Sequence, residues 1–153
     1  MMVTYRLSEP FFEESFGLIA ICTALEDYRL VYFLNQYLEV SFYKDNSENT
    51  EVYQQGFAHY LWRNQDSEIV WRCIANKMVV EIPLKRNSLF KTSAQTLFLM
   101  EELKQVDFLL KIESDYCSTT TAELVKRIAA IPLVSAAYEI KTEILKSKYK
   151  LIF

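Results

Sequence analysis

MEELKQVDFLLKIESD, residues 100–115, holds the reading on which the fold of this chain turns. From Val106 onward the apolar side chains fall at every second position, Val106, Phe108, Leu110 and Ile112, the period of a strand that buries one face. Asp107 stands inside that pattern, just after the acidic pair Glu101 and Glu102. An acidic cluster at the mouth of a buried strand is either a site or a solvated strand entrance. The expectation is that Asp107 is tied down, to Arg29 or to backbone amides of the preceding turn, because its neighbour Phe108 is buried and an unpaired carboxylate there would cost about 1–3 kcal/mol or more.

Upstream, FGLIAIC (Phe16–Cys22) is a short apolar run that reads as a buried strand, and TALE follows it. Thr23 and Glu26 have the spacing of a capping box. The helix then runs over residues 24–38, with Asp27, Val31, Leu34 and Leu38 on one face, so that an acid heads an apolar stripe. LEVSFYK from Leu38 predicts another strand and DNSENTE a solvated loop. VYQQGFAHYLWR (Val52–Arg63) and EIVWRCIANKMVVEI (Glu68–Ile82) alternate and are joined by NQDS, the pattern of a hairpin. PLKRNSLFKTSAQ (Pro83–Gln95) reads as irregular, with Lys85, Arg86, Phe90 and Lys91 forming a small basic loop, and TLFLM as a strand.

Downstream, the polar run ESDYCSTTT leads to a second helix, TAELVKRIAAI, striped by Leu124, Ile128 and Ile131 and ended by Pro132. VSAAYEI predicts a further strand. The tail TEILKSKYKLIF predicts one helical turn and a last strand with Tyr149, Leu151 and Phe153 on one face. Strand, helix, strand thus recurs at 16–22, 24–38, 39–44 and at 105–113, 121–131, 133–140. The fold class this predicts is α+β in a single domain over 1–153: an antiparallel-rich sheet with two main helices, in a ferredoxin-like or ACT-like pattern of two such units.

Composition narrows the function. A net charge of −3 gives no general attraction to phosphate backbones, so no nucleic acid is expected as partner. No basic start with an apolar h-region and no apolar run of about 18 residues is present, which predicts a cytoplasmic protein away from the membrane. Cys22, Cys73 and Cys117 are widely spaced and His59 is the single histidine, so neither a disulfide framework nor a zinc site is expected, and no metal or cofactor. His59 reads as an ordinary cross-strand residue. Gly17 and Gly56 are the only glycines, which leaves no phosphate-cradling loop and no G-x-S-x-G elbow.

The candidate site residues are therefore Glu26, Asp27, Tyr28, Arg29, Glu102 and Asp107, at the first helix start and the entrance of the strand that follows Val106. Carboxylates brought together share a proton or hold a divalent cation. Taken singly, Glu26 is half of a capping box, Asp27 favours the helix dipole, and Glu101 and Glu102 face water. Arg29 is placed to pair with Glu26, or to fork onto Asp107 or a ligand carboxylate.

MEELKQVDF also resembles the signature of the bacterial IPExxxVDY-motif family, keeping Glu102, Val106 and Asp107 and departing at Met100, Glu101 and Phe108. The run LEDYRL (Leu25–Leu30) with Asn35 beyond it, and the ending AAYEIKTEILKSKYKLIF, are similar to that family's first helix and C-terminus. The resemblance implies a cytoplasmic protein typical of Bacteroidota, of a family without an established activity.

Ten Tyr, ten Phe and two Trp exceed what a minimal core needs. With so few catalytic residue types, the first reading is a non-enzymatic protein-interaction or scaffold module that self-associates as a homodimer through a sheet edge and the C-terminal tail, another cytoplasmic protein being the further partner. An ACT-like small-ligand-binding domain is the second. The third is a metal-assisted hydrolase using Glu26, Asp27, Glu102 and Asp107.

Overall fold

The computed structural model describes residues 16–44, 56–64, 69–83, 92–113, 118–146 and 148–151. In chain order the main elements are β1 (Gly17–Thr23), α1 (Asp27–Leu38), β2 (Tyr43–Lys44), β3 (His59–Asn64), β4 (Ile69–Ala75), β5 (Lys77–Pro83), β6 (Thr92–Phe98), β7 (Phe108–Glu113), α2 (Ser118–Ala129) and β8 (Val134–Glu139). Short 3-10 turns lie at Glu101–Leu103, Thr142–Ile144 and Lys148–Leu151. The architecture is α+β: a six-stranded sheet in the order β2-β3-β4-β7-β1-β8, every neighbouring pair antiparallel, and a separate two-stranded ribbon of β5 and β6. Since β7 and β8 both run antiparallel to β1, they are parallel to each other, and α2 makes the crossover that parallel strands require. The same parity makes β2 parallel to β1, with α1 between them.

β7 is central because it can be buried on both sides. Phe108, Leu110 and Ile112 face the helices and pack with Ile19 and Ile21 of β1, Leu34 of α1 and Ile128 of α2. Leu109 faces the other way, into a second core with Phe16, Leu18 and Ile74. That face is closed by Leu99, Met100 and Val106 and by Leu145 and Leu151 of the C-terminal turns. The strand therefore does not bury one side only, and Val106, which precedes it, belongs to the second core rather than to the stripe of Phe108.

Several local expectations give way. The capping box is not made: the helix starts at Asp27, and its N-cap Glu26 makes no side-chain capping bond. Thr23 instead accepts from the Leu25 amide at 3.1 Å and donates to the Leu133 carbonyl at 2.7 Å, because the end of β1 lies beside the start of β8. Only Tyr43 and Lys44 of LEVSFYK pair as a strand. The turn before them is made by Asn35, whose Oδ1 accepts from the Phe42 amide at 2.8 Å while its own carbonyl takes the Val40 amide at 3.2 Å. This lets Glu39 end the helix in the left-handed region, φ 55°, without a glycine.

The expected hairpin is there, Trp62 lying opposite Trp71 with ring centroids 5.0 Å apart. Its second run breaks at Asn76, however, and continues as β5 of the ribbon. Thr92–Gln95, read as irregular, are the start of β6. The last strand of the tail is instead a 3-10 turn, with Leu151 buried in the chain's own second core. The basic loop Lys85, Arg86, Phe90 and Lys91, as well as Cys117 and Phe153, lie outside the described residues.

Candidate functional site

Asp107 answers the question that its sequence position raises. One carboxylate oxygen accepts from the Thr23 amide at 2.8 Å and the other meets the Lys77 ammonium at 2.6 Å. Its backbone amide donates to Ile21 and its carbonyl accepts from Asn76. The partner is thus neither Arg29 nor the preceding turn. Asp107 fastens the entrance of β7 to the end of β1 and to the first residue of the ribbon.

Asn76, which sequence reasoning passed over, is the other half of this knot. It is fully buried where β4 turns into β5. Its Nδ2 donates to the carbonyls of Leu103 and Val106 at 2.8 and 3.0 Å, and its Oδ1 accepts from the Met100 amide at 2.7 Å. A lone Asn between two apolar strands was the available signal, since buried polar groups persist where the backbone needs partners. Glu102, on the 3-10 turn that Asn76 holds, accepts from the Lys146 amide at 2.9 Å and so ties the tail down.

Asp27 sits elsewhere. Its carboxylate accepts from the Tyr60 hydroxyl at 2.8 Å, joining α1 to β3. Burial, and then the bond to Asp27, push the Tyr60 phenol well above its ordinary pKa. Burial and the Asp27 charge likewise push the Cys73 thiol up to about 12, and Cys22 is raised by burial and by Asp107. These thiols are shielded rather than activated. The acids of the sequence cluster thus serve three separate junctions: Asp27 with Tyr60, Asp107 with Thr23 and Lys77, Glu102 with the tail. Among the described residues no group of three or more His, Cys, Asp or Glu is disposed to hold a metal ion.

On the second face lies a buried charged row. Arg72 of β4 and Lys111 of β7 are cross-strand partners, and both meet Glu113. Lys111 is fully buried, its ammonium 4.7 Å from the Phe16 ring centroid. Arg72 donates to His59 Nε2 at 3.2 Å, so that ring nitrogen carries no proton. His59 is a cross-strand core residue.

Tyr28 and Arg29 remain. With Tyr32 and Phe33 they line an open groove of about 420 Å³ on the first turns of α1. Tyr28 and Tyr32 are each 59% exposed. The Tyr28 phenol is raised above its ordinary pKa, chiefly by its hydrogen bond to Glu26 and then by that carboxylate's charge. Gln36 donates to the Tyr32 hydroxyl at 3.1 Å, and the Tyr32 ring meets Phe33 edge-on.

The ribbon is the second exposed feature. Its strands pair from Lys77 with Phe98 to Pro83 with Thr92. Alternation puts Met78, Val80 and Ile82 of β5 on one face, beside their partners Leu97, Gln95 and Ser93 of β6. Met78, at the base, packs against the second core and its partner Leu97 is 38% exposed, while Ile82 farther out is 40% exposed and Val79 on the opposite face 67% exposed.

Fold and site together define an α+β protein whose polar knots serve the fold and whose distinctive surface is aromatic and apolar. No family model, curated protein or solved structure matches the chain.

Proposed function

We propose that this chain is a non-enzymatic protein-interaction module that self-associates as a homodimer through the β5–β6 ribbon. The observation that carries the reading is the apolar row of β5, which begins in the second core at Met78, beside Leu97, and runs out through Val80 to the exposed Ile82. Isolated two-stranded ribbons are marginal in water, and a third or fourth strand or a packed face is what normally stabilises them. A second ribbon laid against the first supplies that packing, and a two-fold pair is the simplest closed arrangement. With Leu151 buried in the chain's own second core, this reading moves the contact from the C-terminal tail to the ribbon.

Further support comes from the carboxylates, which hold junctions rather than converge on a reacting centre. The cytoplasm is the compartment this reading assigns. The resemblance to the IPExxxVDY-motif family belongs to the same proposal: of the shared residues, Val106 fills the second core, while Glu102 and Asp107 anchor their segment to the tail and to β1.

The test is light scattering of the full chain at high micromolar concentration. The wild type should run as a dimer, and the double substitution Ile82→Glu with Leu97→Glu as a monomer of unchanged circular dichroism. A monomeric wild type refutes the reading.

A further inference from the structure

Beyond its base, the ribbon carries its large apolar side chains on one strand and on both faces of that strand. Val80 and Ile82 of β5 lie on one face and the exposed Val79 on the other, while Ser93, Ala94, Gln95 and Thr96 of β6 are small or polar and exposed. A partner resting on either face would leave the other face's side chains in water. What the two faces share is the outer edge of β5.

Backbone parity shows which groups that edge offers. The Asn76 carbonyl accepts from the Leu99 amide at 2.9 Å and so points toward β6. The trans peptide then turns the Lys77 amide away from β6, and strand alternation directs the backbone groups of Lys77, Val79, Glu81 and Pro83 outward. Pro83 agrees with this, since a proline in a ribbon is tolerated where no ladder N–H is needed. Among the described residues no hydrogen bond reaches the outward groups of Val79 and Glu81.

We propose that two copies join by strand addition, β5 of one running antiparallel beside β5 of the other, so that the ribbons form one four-stranded sheet in the order β6-β5-β5-β6. This rests on the ribbon dimer proposed above and gives it a geometry. Outward groups must meet outward groups, which restricts the two-fold centre to Val79, Val80 or Glu81 if most of the strand is to pair. Centring on Val79 sets the exposed Ile82 against Asn76 at the buried root. Centring on Glu81 sets two like charges directly opposite, which is destabilising. Centring on Val80 places Met78 of one copy against Ile82 of the other, Val80 against Val80, and Val79 against Glu81. Each exposed apolar side chain of β5 then has a cross-strand neighbour, and the two Val79–Glu81 pairs exchange both of their backbone hydrogen bonds. The pairing consumes the edge it uses, so it closes as a two-fold dimer along that edge.

Val79→Pro in the full chain tests the edge. It deletes an outward N–H while leaving the β5–β6 ladder and the row from Met78 to Ile82 in place, and it should run as a monomer in light scattering with unchanged circular dichroism. A variant that stays dimeric overturns strand addition and leaves the ribbon dimer standing as a face-to-face contact. Should that variant fail to fold, hydrogen exchange in the native sequence decides: the Val79 and Glu81 amides should exchange about tenfold or more slowly than in the Ile82→Glu, Leu97→Glu chain, and equal rates overturn the proposal. Val80→Cys tests the register. A non-hydrogen-bonded pair brings its two Cα atoms to about 4.5 Å, within disulfide reach, so oxidised glutathione should link Val80→Cys chains well above the background that the native thiols give in the wild type. Linkage through Val79→Cys in place of Val80→Cys, or through neither, overturns this register. A monomeric wild type removes the ribbon dimer and its geometry together.

Discussion

At the scale of single residues, two polar side chains carry more of the fold than their number suggests. Asn76 meets three backbone groups of the 99–106 segment, of which the Val106 carbonyl and the Met100 amide are cut off from water and the Leu103 carbonyl partly so. Asn76→Ala strands them, and at about 1–3 kcal/mol for each buried group left unsatisfied a loss of about 3 kcal/mol or more is expected in urea unfolding. Asp107→Ala removes the acceptor for Thr23 and the partner of Lys77. Both are nearer the surface, so the expected loss is smaller, about 1–2 kcal/mol, with the oligomeric state unchanged. An unchanged melting temperature would show that water replaces the carboxylate and that the knot is dispensable.

At the scale of elements, α1 is held to the sheet by Tyr60 and Asp27 as well as by its apolar stripe. Both Tyr60 and Cys73 have their ionisation pushed up in the folded chain, so the neutral forms stabilise the fold. That contribution is complete below the unfolded thiol's value near 9 and is lost as pH rises toward about 12. Stability measured in urea should therefore fall through this alkaline window, and Tyr60→Phe should flatten the fall; an identical slope in that variant would assign it to other groups. On the opposite face, Glu113 is the carboxylate shared by Arg72 and Lys111. Glu113→Ala should cost about 2–3 kcal/mol, toward the lower end for a broken buried pair because Glu113 keeps some contact with water. A neutral result would mean that the two cations lean on other partners.

At the scale of the whole molecule, stability should be unevenly spread. β4, β7 and β1 form the middle of the six-stranded sheet, and β7 is buried from Phe108 to Ile112. Their amides should exchange hydrogen only through global unfolding. The ribbon has few such supports, and if the proposed contact forms, its amides should exchange more quickly in the Ile82→Glu, Leu97→Glu chain than in the wild type. Equal exchange in both would place the contact between copies on another surface.

The α+β class, the two helices and the main runs of strand were legible in the sequence because each rests on a local period, two for a strand and 3.6 for a helix, that the apolar residues display wherever they end up. Val31, Leu34 and Leu38 announce a helix face by spacing alone, and all three are buried. What spacing does not contain is the neighbour. Asp107 chose Thr23 and Lys77 because β1 pairs with β7 and the ribbon begins beside it, and both contacts depend on strand order. Lys111, a cation between apolar residues, is fully buried because β7 lies at the centre of the sheet and the C-terminal turns close over its second face. Asn76 and Leu151 follow the same rule. Local pattern determined which segments become helix or strand; the pairing of segments far apart in the chain decided which polar groups, Asn76 and Lys111 among them, were taken from water.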